Sequence, residues 1–403
     1  MERILLSAFA CDPSKGSEPA NGWNWSVGLA KKGYEVHCLT RNTGRSSIES
    51  HAGTEHLYFH YVVLPFGLER LYSKGTISMY LYYLLWQWFA YKKAKVLHHQ
   101  YSFSLAHHVT WGSLQMGSFL YKLRIPFVFG PAGGGQNAPE SLKKYFLHHW
   151  PSEKKREKVS AYMLKYNPAC KQMLKNATAV LVSNTETLLL AKSAGAKNVF
   201  LSLDATVPDS FFPEVFVPKS PVENQLKLLW VGRFMPRKGI LLVLDVMKEL
   251  KEYRGITLTV VGDGEMKDAF LEKIKQDQLD DTVHWKGKVP FEEVREYYAS
   301  HDVFFFTSLR DSGPAQLVEA MSFGLPVVTI NLHGQAMIVN EQRGILCAYD
   351  NPELAIYALK KAILSLYNRP ETVEKMSQAA YDFASNQNWN KKIDTIVNEY
   401  YPV

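Results

Sequence analysis

The chain has 403 residues, of which 46% are hydrophobic, and a formal net charge of +7 at pH 7. This length exceeds what one hydrophobic core normally serves, so we expect two domains. The mild basic excess suits an enzyme with anionic substrates or a protein at an anionic membrane surface. We expect no nucleic-acid binding, because the sequence has no compact basic and aromatic module.

The four cysteines, Cys11, Cys38, Cys170 and Cys347, lie far apart in the sequence. Their spacing matches neither a zinc site nor a disulfide framework, and it favours a reducing compartment. The first residues enter a short strand at once, unlike a signal peptide, and no apolar run is long enough to span a bilayer. The sequence therefore predicts a cytoplasmic protein without a bound metal.

Strand and helix patterns alternate along the first half of the chain. The first strand is expected at Arg3–Phe9 and the first helix at Gly22–Lys32. Further strands are predicted at Tyr34–Thr40, Phe59–Leu64, Ala106–Val109, Pro126–Phe129, Ala179–Ser183 and Val199–Leu203. This alternation is typical of a parallel sheet covered by helices. The proline-rich stretch 208–221 that follows has the composition of a linker.

A second alternation begins at Leu226. Its strands are predicted at Leu226–Val231, Ile256–Val261, Thr282–Trp285, Val303–Thr307, Pro326–Thr329 and Ile345–Cys347. We therefore predict an α/β protein of two Rossmann-like doubly wound domains that face each other across a cleft. Ligands of such sheets bind beyond the carboxyl ends of the strands.

A basic loop follows the strand Leu226–Val231. It contains Arg233, Arg237 and Lys238 and leads into a helix predicted at Ile240–Tyr253. Helix N-termini carry partial positive charge and unpaired N–H donors, so they attract anions. The loop therefore predicts a diphosphate site, in which we expect Arg237 to face solvent.

Two carboxylates flank the start of the helix after Val303–Thr307. Asp311 lies in the loop before Pro314, and Glu319 lies within the helix among apolar neighbours. A capping role for Asp311 is an open alternative. Glu319 needs a hydrogen-bond partner, because a buried carboxylate is costly without one.

Three motifs occur in a fixed order in this half: VGRFMPRKG, VVGDGEMKDAF, and a D-x7-E segment followed by AMSFGLPVV. Over residues 226–346 they resemble the donor half of the family-four retaining glycosyltransferases of the GT-B fold. The resemblance implies that Arg233 and Lys238 bind the diphosphate of a nucleotide-sugar. It further implies that Asp311 holds sugar hydroxyls and Glu319 the ribose diol. Asp311 stands where the family normally has glutamate, and Pro314 replaces a glycine.

The resemblance also implies roles for glycines and nearby side chains. Its donor-side candidates are Gly16, Gly232, Gly264, Lys286 and Gly313. Its acceptor-side candidates are His108, Gly133, Gly134 and Gly135. The three glycines belong to GPAGGGQ, for which a flexible loop is the alternative. His108 is named because the histidine that many relatives carry near this strand end is missing here.

The resemblance implies a donor domain at 206–385 and an acceptor-side domain at 1–205, on which a C-terminal helix at about 386–403 packs. It implies a retaining, metal-independent hexosyltransferase without a cofactor, which uses a nucleoside diphosphate sugar. The expected acceptor is a hydroxyl of a glycan or lipid-linked molecule in cell-envelope polysaccharide or glycolipid synthesis. The alternatives are a GT-B sugar-nucleotide epimerase or hydrolase, and a non-catalytic nucleotide-sugar binding protein.

An aromatic and basic segment spans residues 68–101, and a second lysine-rich stretch spans 151–175. A core helix and a solvated charged helix would explain them. The alternative is a surface that contacts the inner face of the membrane while the protein processes a lipid-linked acceptor.

Overall fold

The computed structural model describes residues 1–51 and 53–401. The chain forms two compact units, each built from more than one stretch of sequence. The first unit comprises residues 1–135, 158–204 and the chain from Trp389 onward. The second comprises residues 136–157 and 205–388. Pro402 and Val403, which end the predicted C-terminal helix, lie outside the described residues.

A seven-stranded parallel sheet in the order β3-β2-β1-β4-β5-β6-β7 forms the centre of the first unit. Ile4 and Leu6 of its first strand pack in one apolar cluster and Leu5 in another, so both faces are covered. The strands are β1 (Arg3–Ala8), β2 (Glu35–Arg41), β3 (Leu57–Val62), β4 (Leu105–Thr110), β5 (Phe127–Ala132), β6 (Ala179–Val182) and β7 (Val199–Leu201). The helices are α1 (Glu18–Lys31), α2 (Arg45–Ser50), α3 (Thr76–Tyr101), α4 (Trp150–Tyr166), α5 (Pro168–Asn176), α6 (Thr185–Ser193) and, near the end of the chain, the helix Trp389–Tyr400. The first residues of α4, up to Glu157, belong to the second unit.

The second unit contains a six-stranded parallel sheet in the order β10-β9-β8-β11-β12-β13. Its strands are β8 (Leu226–Val231), β9 (Ile256–Val261), β10 (Val283–Trp285), β11 (Val303–Phe306), β12 (Val327–Ile330) and β13 (Gly344–Cys347). Its helices are α7 (Ile240–Glu249), α8 (Lys267–Asp277), α9 (Phe291–Ser300), α10 (Ala315–Ser322), α11 (His333–Ile338), α12 (Pro352–Tyr367) and α13 (Pro370–Ser385). With Trp389–Tyr400 as α14, this completes the named helices.

The predicted fold class is confirmed in each unit. Every predicted strand overlaps an observed one, with ends that differ by up to three residues. The central strands are buried along their length, as expected of parallel strands covered on both faces. None of the described helices combines the length and the apolar character needed to cross a bilayer.

The structure assigns the segment Gln136–Glu157 to the second unit, whereas the sequence analysis placed it within 1–205. The reason lies in its 3-10 helix, Glu140–His149. Leu142, Tyr145 and Phe146 of this helix are buried in the apolar core of the second unit. In addition, the Tyr145 hydroxyl donates to Asp245 of α7 at 3.0 Å. This segment therefore leaves the first unit after β5 and becomes part of the second.

Candidate functional site

The basic loop lies where β8 and β11 run side by side at the centre of the second sheet. The strand order reverses there, which is where open parallel sheets bind ligands. Thr307 Oγ1 donates to the carbonyls of Lys238 at 3.2 Å and Gly239 at 3.1 Å. A Cβ at Gly239, whose φ is +66°, would stand 2.3 Å from the Thr307 carbonyl oxygen. The glycine thus lets the basic loop pack against the end of β11.

Lys238 and Asp311 form a buried ion pair across these two loops. The Lys238 ammonium contacts Asp311 Oδ2, and the two side chains are only 4% and 15% exposed. Ser308 Oγ also donates to Oδ2, at 3.2 Å. Burial works to raise the pKa of Asp311, but the charges of Lys238 and Arg237 outweigh it and hold that pKa below its usual value. Asp311 is therefore an ionised carboxylate fixed by opposite charge.

Arg237 does not face solvent, and that expectation is wrong. Its Nη1 lies 3.3 Å from Asp311 Oδ2 and donates to the Arg310 carbonyl at 3.0 Å. The carboxylate and the carbonyl draw the guanidinium inward, which the loop sequence alone did not show. Arg233, by contrast, is exposed. Of the three predicted cations, two hold the loop of Asp311 and the third projects from the surface.

The cap alternative for Asp311 does not describe this loop, because Pro314 takes the N-cap position of α10. Glu319, one turn and more into that helix, accepts a hydrogen bond from the Tyr298 hydroxyl at 3.0 Å. Burial raises the pKa of Glu319 to about 7. Tyr298 is thus the partner that a buried carboxylate requires, and no motif in the sequence indicates it.

The donor-side glycines pack the loops after β8 and β9 against each other. A Cβ at Gly262 would stand 1.8 Å from the Gly232 carbonyl oxygen, and one at Gly264 would stand 2.8 Å from that of Phe234. These glycines therefore serve close backbone packing at the carboxyl edge of the sheet. Lys286, just after β10, is exposed at the same edge.

Gly313 is half-buried in the loop after Asp311. A Cβ added at Gly334, the second residue of α11, would stand 3.0 Å from the Cα of Gly313. The loop that carries Asp311 therefore packs tightly against the start of α11.

The segment 136–157 contributes an ion pair to this loop that no sequence motif indicates. Arg310 Nε lies 2.7 Å from Glu153 Oε1, and Glu153 also pairs with Arg156 at 2.9 Å. Burial lowers the pKa of Arg310 to about 10. A second link joins His333 Nε2 and the Asn137 carbonyl at 2.8 Å. Arg310, the residue next to Asp311, is therefore held by Glu153, which lies more than 150 positions away in the sequence.

His108 occupies a place in the first unit that does not fit its predicted acceptor-side role. It is fully buried, with Nδ1 at 3.0 Å from Ser7 Oγ and Nε2 at 3.2 Å from the Tyr83 hydroxyl. Its ring stacks on Phe129 at 5.2 Å. Burial lowers the pKa of His108 to about 3. It is a neutral histidine of the core.

The glycines of GPAGGGQ pack against the first unit itself. β5 continues through Ala132, so its end lies three residues beyond the predicted one. The Gly133 amide donates to the Gly112 carbonyl at 2.9 Å. A Cβ at Gly134 would stand 2.3 Å from Gln115 Oε1, and one at Gly135 would stand 2.5 Å from the α6 backbone at Glu186. The φ of +132° explains Gly134, close packing against backbone explains Gly135, and the proposed acceptor contact stays a prediction.

Gly16 lies in the exposed loop before α1, and a Cβ there would meet nothing within 4 Å. Packing therefore does not require this glycine. Glu18, at the start of α1, accepts a hydrogen bond from the Gly112 amide at 2.9 Å. This contact ties the start of α1 to the loop after β4.

Residues 212–383, most of the second unit, match the family profile described as Glycosyl transferases group 1. The second unit belongs to the group 1 glycosyltransferases. The residues assembled at its switch point, Arg237, Lys238, Asp311 and Glu319, all lie within the matched range.

Curated relatives match this chain over part of its length. An amylovoran biosynthesis glycosyltransferase of Erwinia amylovora is 31% identical over 183 residues, which cover 44% of this chain and 50% of that protein. One subunit of human phosphatidylinositol N-acetylglucosaminyltransferase is 26% identical over 245 residues, 56% of this chain and 50% of that protein. The chain thus spans about half the length of the curated relatives it matches.

Solved structures resemble the chain over nearly its whole length. Sucrose-phosphate synthase of Thermosynechococcus elongatus superposes with a TM-score of 0.70 at 18% identity and covers 99% of this chain and 98% of its own. HepE of Anabaena, solved with UDP-glucose, gives 0.61 at 15% identity and covers 99% and 100%. The fold is GT-B, with two Rossmann-like domains, as the sequence predicted.

Proposed function

We propose that this protein is a retaining glycosyltransferase that moves a hexosyl group from a nucleoside diphosphate sugar to a hydroxyl group. The observation that carries the proposal is the arrangement at the switch point of the second sheet. There the basic loop of a group 1 glycosyltransferase unit meets an ionised, buried Asp311. The sugar-nucleotide ligand of HepE and the names of the curated relatives support the same chemistry.

Arg233 and Lys238 bind the leaving diphosphate in this proposal. Cleavage of the glycosidic bond builds negative charge on the diphosphate, and fixed cations stabilise that charge without reorganisation. The Lys238 ammonium has three donors, so its contact with Asp311 leaves others for phosphate oxygens. These two side chains supply the positive charge, and the proposal includes no metal ion or other cofactor.

Asp311 orients the donor sugar. Lys238, Arg237 and Ser308 all contact Oδ2, so we assign Oδ1 to the sugar hydroxyls. Fixed in this way, the carboxylate positions the anomeric carbon instead of attacking it. The acceptor oxygen then bonds to the anomeric carbon on the face from which the diphosphate leaves. The bond to the diphosphate breaks, a phosphate oxygen takes the acceptor's proton, and the configuration is retained.

Glu319 binds the ribose hydroxyls of the nucleotide. Its Oε2 accepts from Tyr298, and its second oxygen is the acceptor that we assign to the diol. Gly232, Gly264 and Gly313 shape the loops of this edge, and exposed Lys286 lies beside the base. The Glu319→Ala variant should therefore bind nucleoside diphosphate more weakly, as calorimetry can measure.

We place the acceptor among glycans and lipid-linked sugars of cell-envelope polysaccharide or glycolipid synthesis, and the reaction in the cytoplasm. The choice of acceptor follows the names of the relatives, one in amylovoran biosynthesis and one acting on phosphatidylinositol. The acceptor side is assigned to the first unit, where Gly133 follows the end of β5.

The test is incubation with a panel of nucleoside diphosphate sugars, with and without candidate glycan and lipid-linked acceptors. Released nucleoside diphosphate and the product's anomeric configuration are measured together. A transferase releases the diphosphate faster with one acceptor and forms a product of retained configuration. Equal release without any acceptor would favour a hydrolase, an epimerised sugar nucleotide would favour an epimerase, and binding without turnover would favour a non-catalytic protein.

A further inference from the structure

Helix α3 is apolar on both of its sides, although one side is exposed. Its inward side lies in the core of the first unit and consists of Tyr82, Tyr83, Trp86, Ala90, Ala94 and Leu97. On the opposite side, Leu81, Trp88 and Val96 are 50%, 38% and 67% exposed. Spacings of seven and eight residues keep these three on one face of a helix. Singly exposed apolar residues are common, so these three point to an interaction surface only together with the basic residues on the same side.

The same face is basic. Lys92 and Lys95 are exposed on it. The ammonium groups of Lys92 and of Lys122, on a neighbouring 3-10 helix, lie 5.6 and 5.2 Å from the centre of the Trp88 ring. Residues 76–101 contain three lysines and no aspartate or glutamate. We call Leu81, Trp88, Lys92, Lys95, Val96 and Lys122 the α3 surface.

The acidic residue nearest to this helix in sequence points away from the surface. Glu69 accepts hydrogen bonds from the Tyr82 hydroxyl at 2.7 Å and from the Leu64 amide at 2.8 Å, and Tyr82 is on the inward side of α3. The lysine-rich helix α4 differs in this respect. There Lys154 pairs with Glu157 at 2.7 Å, and Arg156 pairs with Glu153. Acidic residues of α4 itself thus pair with two of its basic side chains, whereas α3 contains no aspartate or glutamate.

We propose that the α3 surface binds the interface of a lipid bilayer that contains anionic phospholipids. Tryptophan with an apolar body and a polar N–H suits the headgroup region. Lysines reach outward to the phosphates while their stems lie along apolar surface. Each lysine near an anionic leaflet strengthens binding about fivefold, so three together decide whether the protein is bound.

Charge distinguishes this occupant from a second copy of the chain. A symmetric contact between two α3 surfaces would place Lys92 and Lys122 of each copy near the same lysines of the other. Like charges held close together destabilise such a contact, whereas an anionic leaflet neutralises them. The proposal concerns a surface of the first unit and does not depend on the sugar chemistry assigned to the second.

The full-length protein is tested by flotation with vesicles of phosphatidylcholine alone and of phosphatidylcholine mixed with phosphatidylglycerol. We expect binding to the anionic vesicles that falls as salt is added. The double variant Lys92→Glu/Lys122→Glu should reduce the partition constant about tenfold or more, and Trp88→Ser should reduce it independently of salt. The matched control is Tyr357→Ser/Lys361→Glu, an exposed aromatic and lysine one turn apart on α12 of the second unit.

Equal binding to both kinds of vesicle, or variants that bind like the wild type, would overturn the proposal. A concentration-dependent dimer that the same substitutions abolish, without vesicle binding, would instead identify a second copy as the occupant. Thermal unfolding checks that each variant is folded. Donor turnover measured without vesicles should be unchanged in these variants. Vesicle binding by a protein that turns over no nucleotide-sugar would refute the proposed function and leave this inference standing.

Discussion

Arg233 and Lys238, the two cations assigned to the diphosphate, differ in their surroundings. Arg233 is exposed, whereas Lys238 is nearly inaccessible and paired with Asp311. A substitution at the first position should therefore affect only the ligand. A substitution within the pair should affect the ligand and the folded state together.

Arg233→Ala should lower kcat/KM by about a hundredfold or more, because a fixed cation at a leaving diphosphate stabilises the transition state. Its thermal midpoint should stay that of the wild type, since an exposed side chain contributes little to stability. Steady-state kinetics and thermal unfolding measure the two effects. Arg254→Ala, at another exposed arginine, is the matched control. A variant with normal turnover would remove Arg233 from the site.

Asp311→Ala should lower the free energy of unfolding by about 3 kcal/mol, because it leaves the buried Lys238 ammonium uncompensated. The double variant Lys238→Met/Asp311→Ala removes both charges and should recover most of that loss, while activity stays absent. Chemical denaturation of the two variants measures the coupling. Equal destabilisation in both would show that the ion pair is not what holds these loops.

Glu319 gives a pH dependence with a definite sign. Its pKa is raised from 4.5 to about 7 by burial, so the folded protein binds this proton more tightly than the unfolded chain. The stability cost of ionisation is absent below about pH 4.5, grows up to pH 7 and is constant above it. Glu319→Gln should therefore raise the free energy of unfolding by on the order of 1 kcal/mol at pH 8 and leave it unchanged at pH 4.5. Denaturation at both pH values checks this, with exposed Glu296→Gln as control; an equal effect at both would contradict it.

At the residue scale, the sequence indicated which side chains gather at the basic loop but not how each one is oriented. Motif spacing places Lys238 and Asp311 after two predicted strands. The structure shows that these strands pair, and it brings the two side chains into contact. The inward turn of Arg237 depends on the Arg310 carbonyl, which the motif does not specify. The burial of His108 depends on Ser7 and Tyr83, two distant parts of the chain.

At the scale of elements, hydrophobic periodicity was sufficient to locate the strands. It was not sufficient to show which of the two units contains segment 136–157. A buried parallel strand is a local apolar run, so it is readable in the sequence. The 3-10 helix Glu140–His149 belongs to the second unit because Leu142, Tyr145 and Phe146 pack in the apolar core of that unit. No local pattern records which of two apolar cores such a helix joins.

The ion pair between Glu153 and Arg310 makes this segment a positioning element for Asp311. Glu153→Ala removes the ion-pair partner of the Arg310 guanidinium, one residue from the Asp311 carboxylate. Because Asp311 is then held less firmly, kcat/KM should fall by about tenfold, mainly through a higher KM for the donor. Glu153→Gln should recover part of it, because the amide oxygen still accepts from Arg310. Glu157→Ala, on the same helix and paired with exposed Lys154, is the control. An unchanged KM would limit Glu153 to a structural role.

At the scale of the whole molecule, the two units have separate apolar cores. One core is built from the second unit's sheet together with residues of segment 136–157, and two clusters cover the faces of the first sheet. The residues assigned to the donor all lie in the second unit, apart from Gly16. Each of these clusters consists of residues of one unit, so we expect each unit to unfold as its own cooperative transition.

Differential scanning calorimetry should therefore show two transitions, of which only one responds to the nucleoside diphosphate that the donor panel selects. A ligand at one hundred times its Kd stabilises the unit that binds it by about 2.7 kcal/mol and leaves the other unchanged. Glu153→Ala should lower the midpoint of that same transition, because Glu153 belongs to the second unit although the chain on both sides of its segment belongs to the first. If Glu153→Ala instead lowered the midpoint of the transition that does not respond to the nucleotide, segment 136–157 would belong to the first unit. That result would agree with the domain bounds of 1–205 predicted from the sequence.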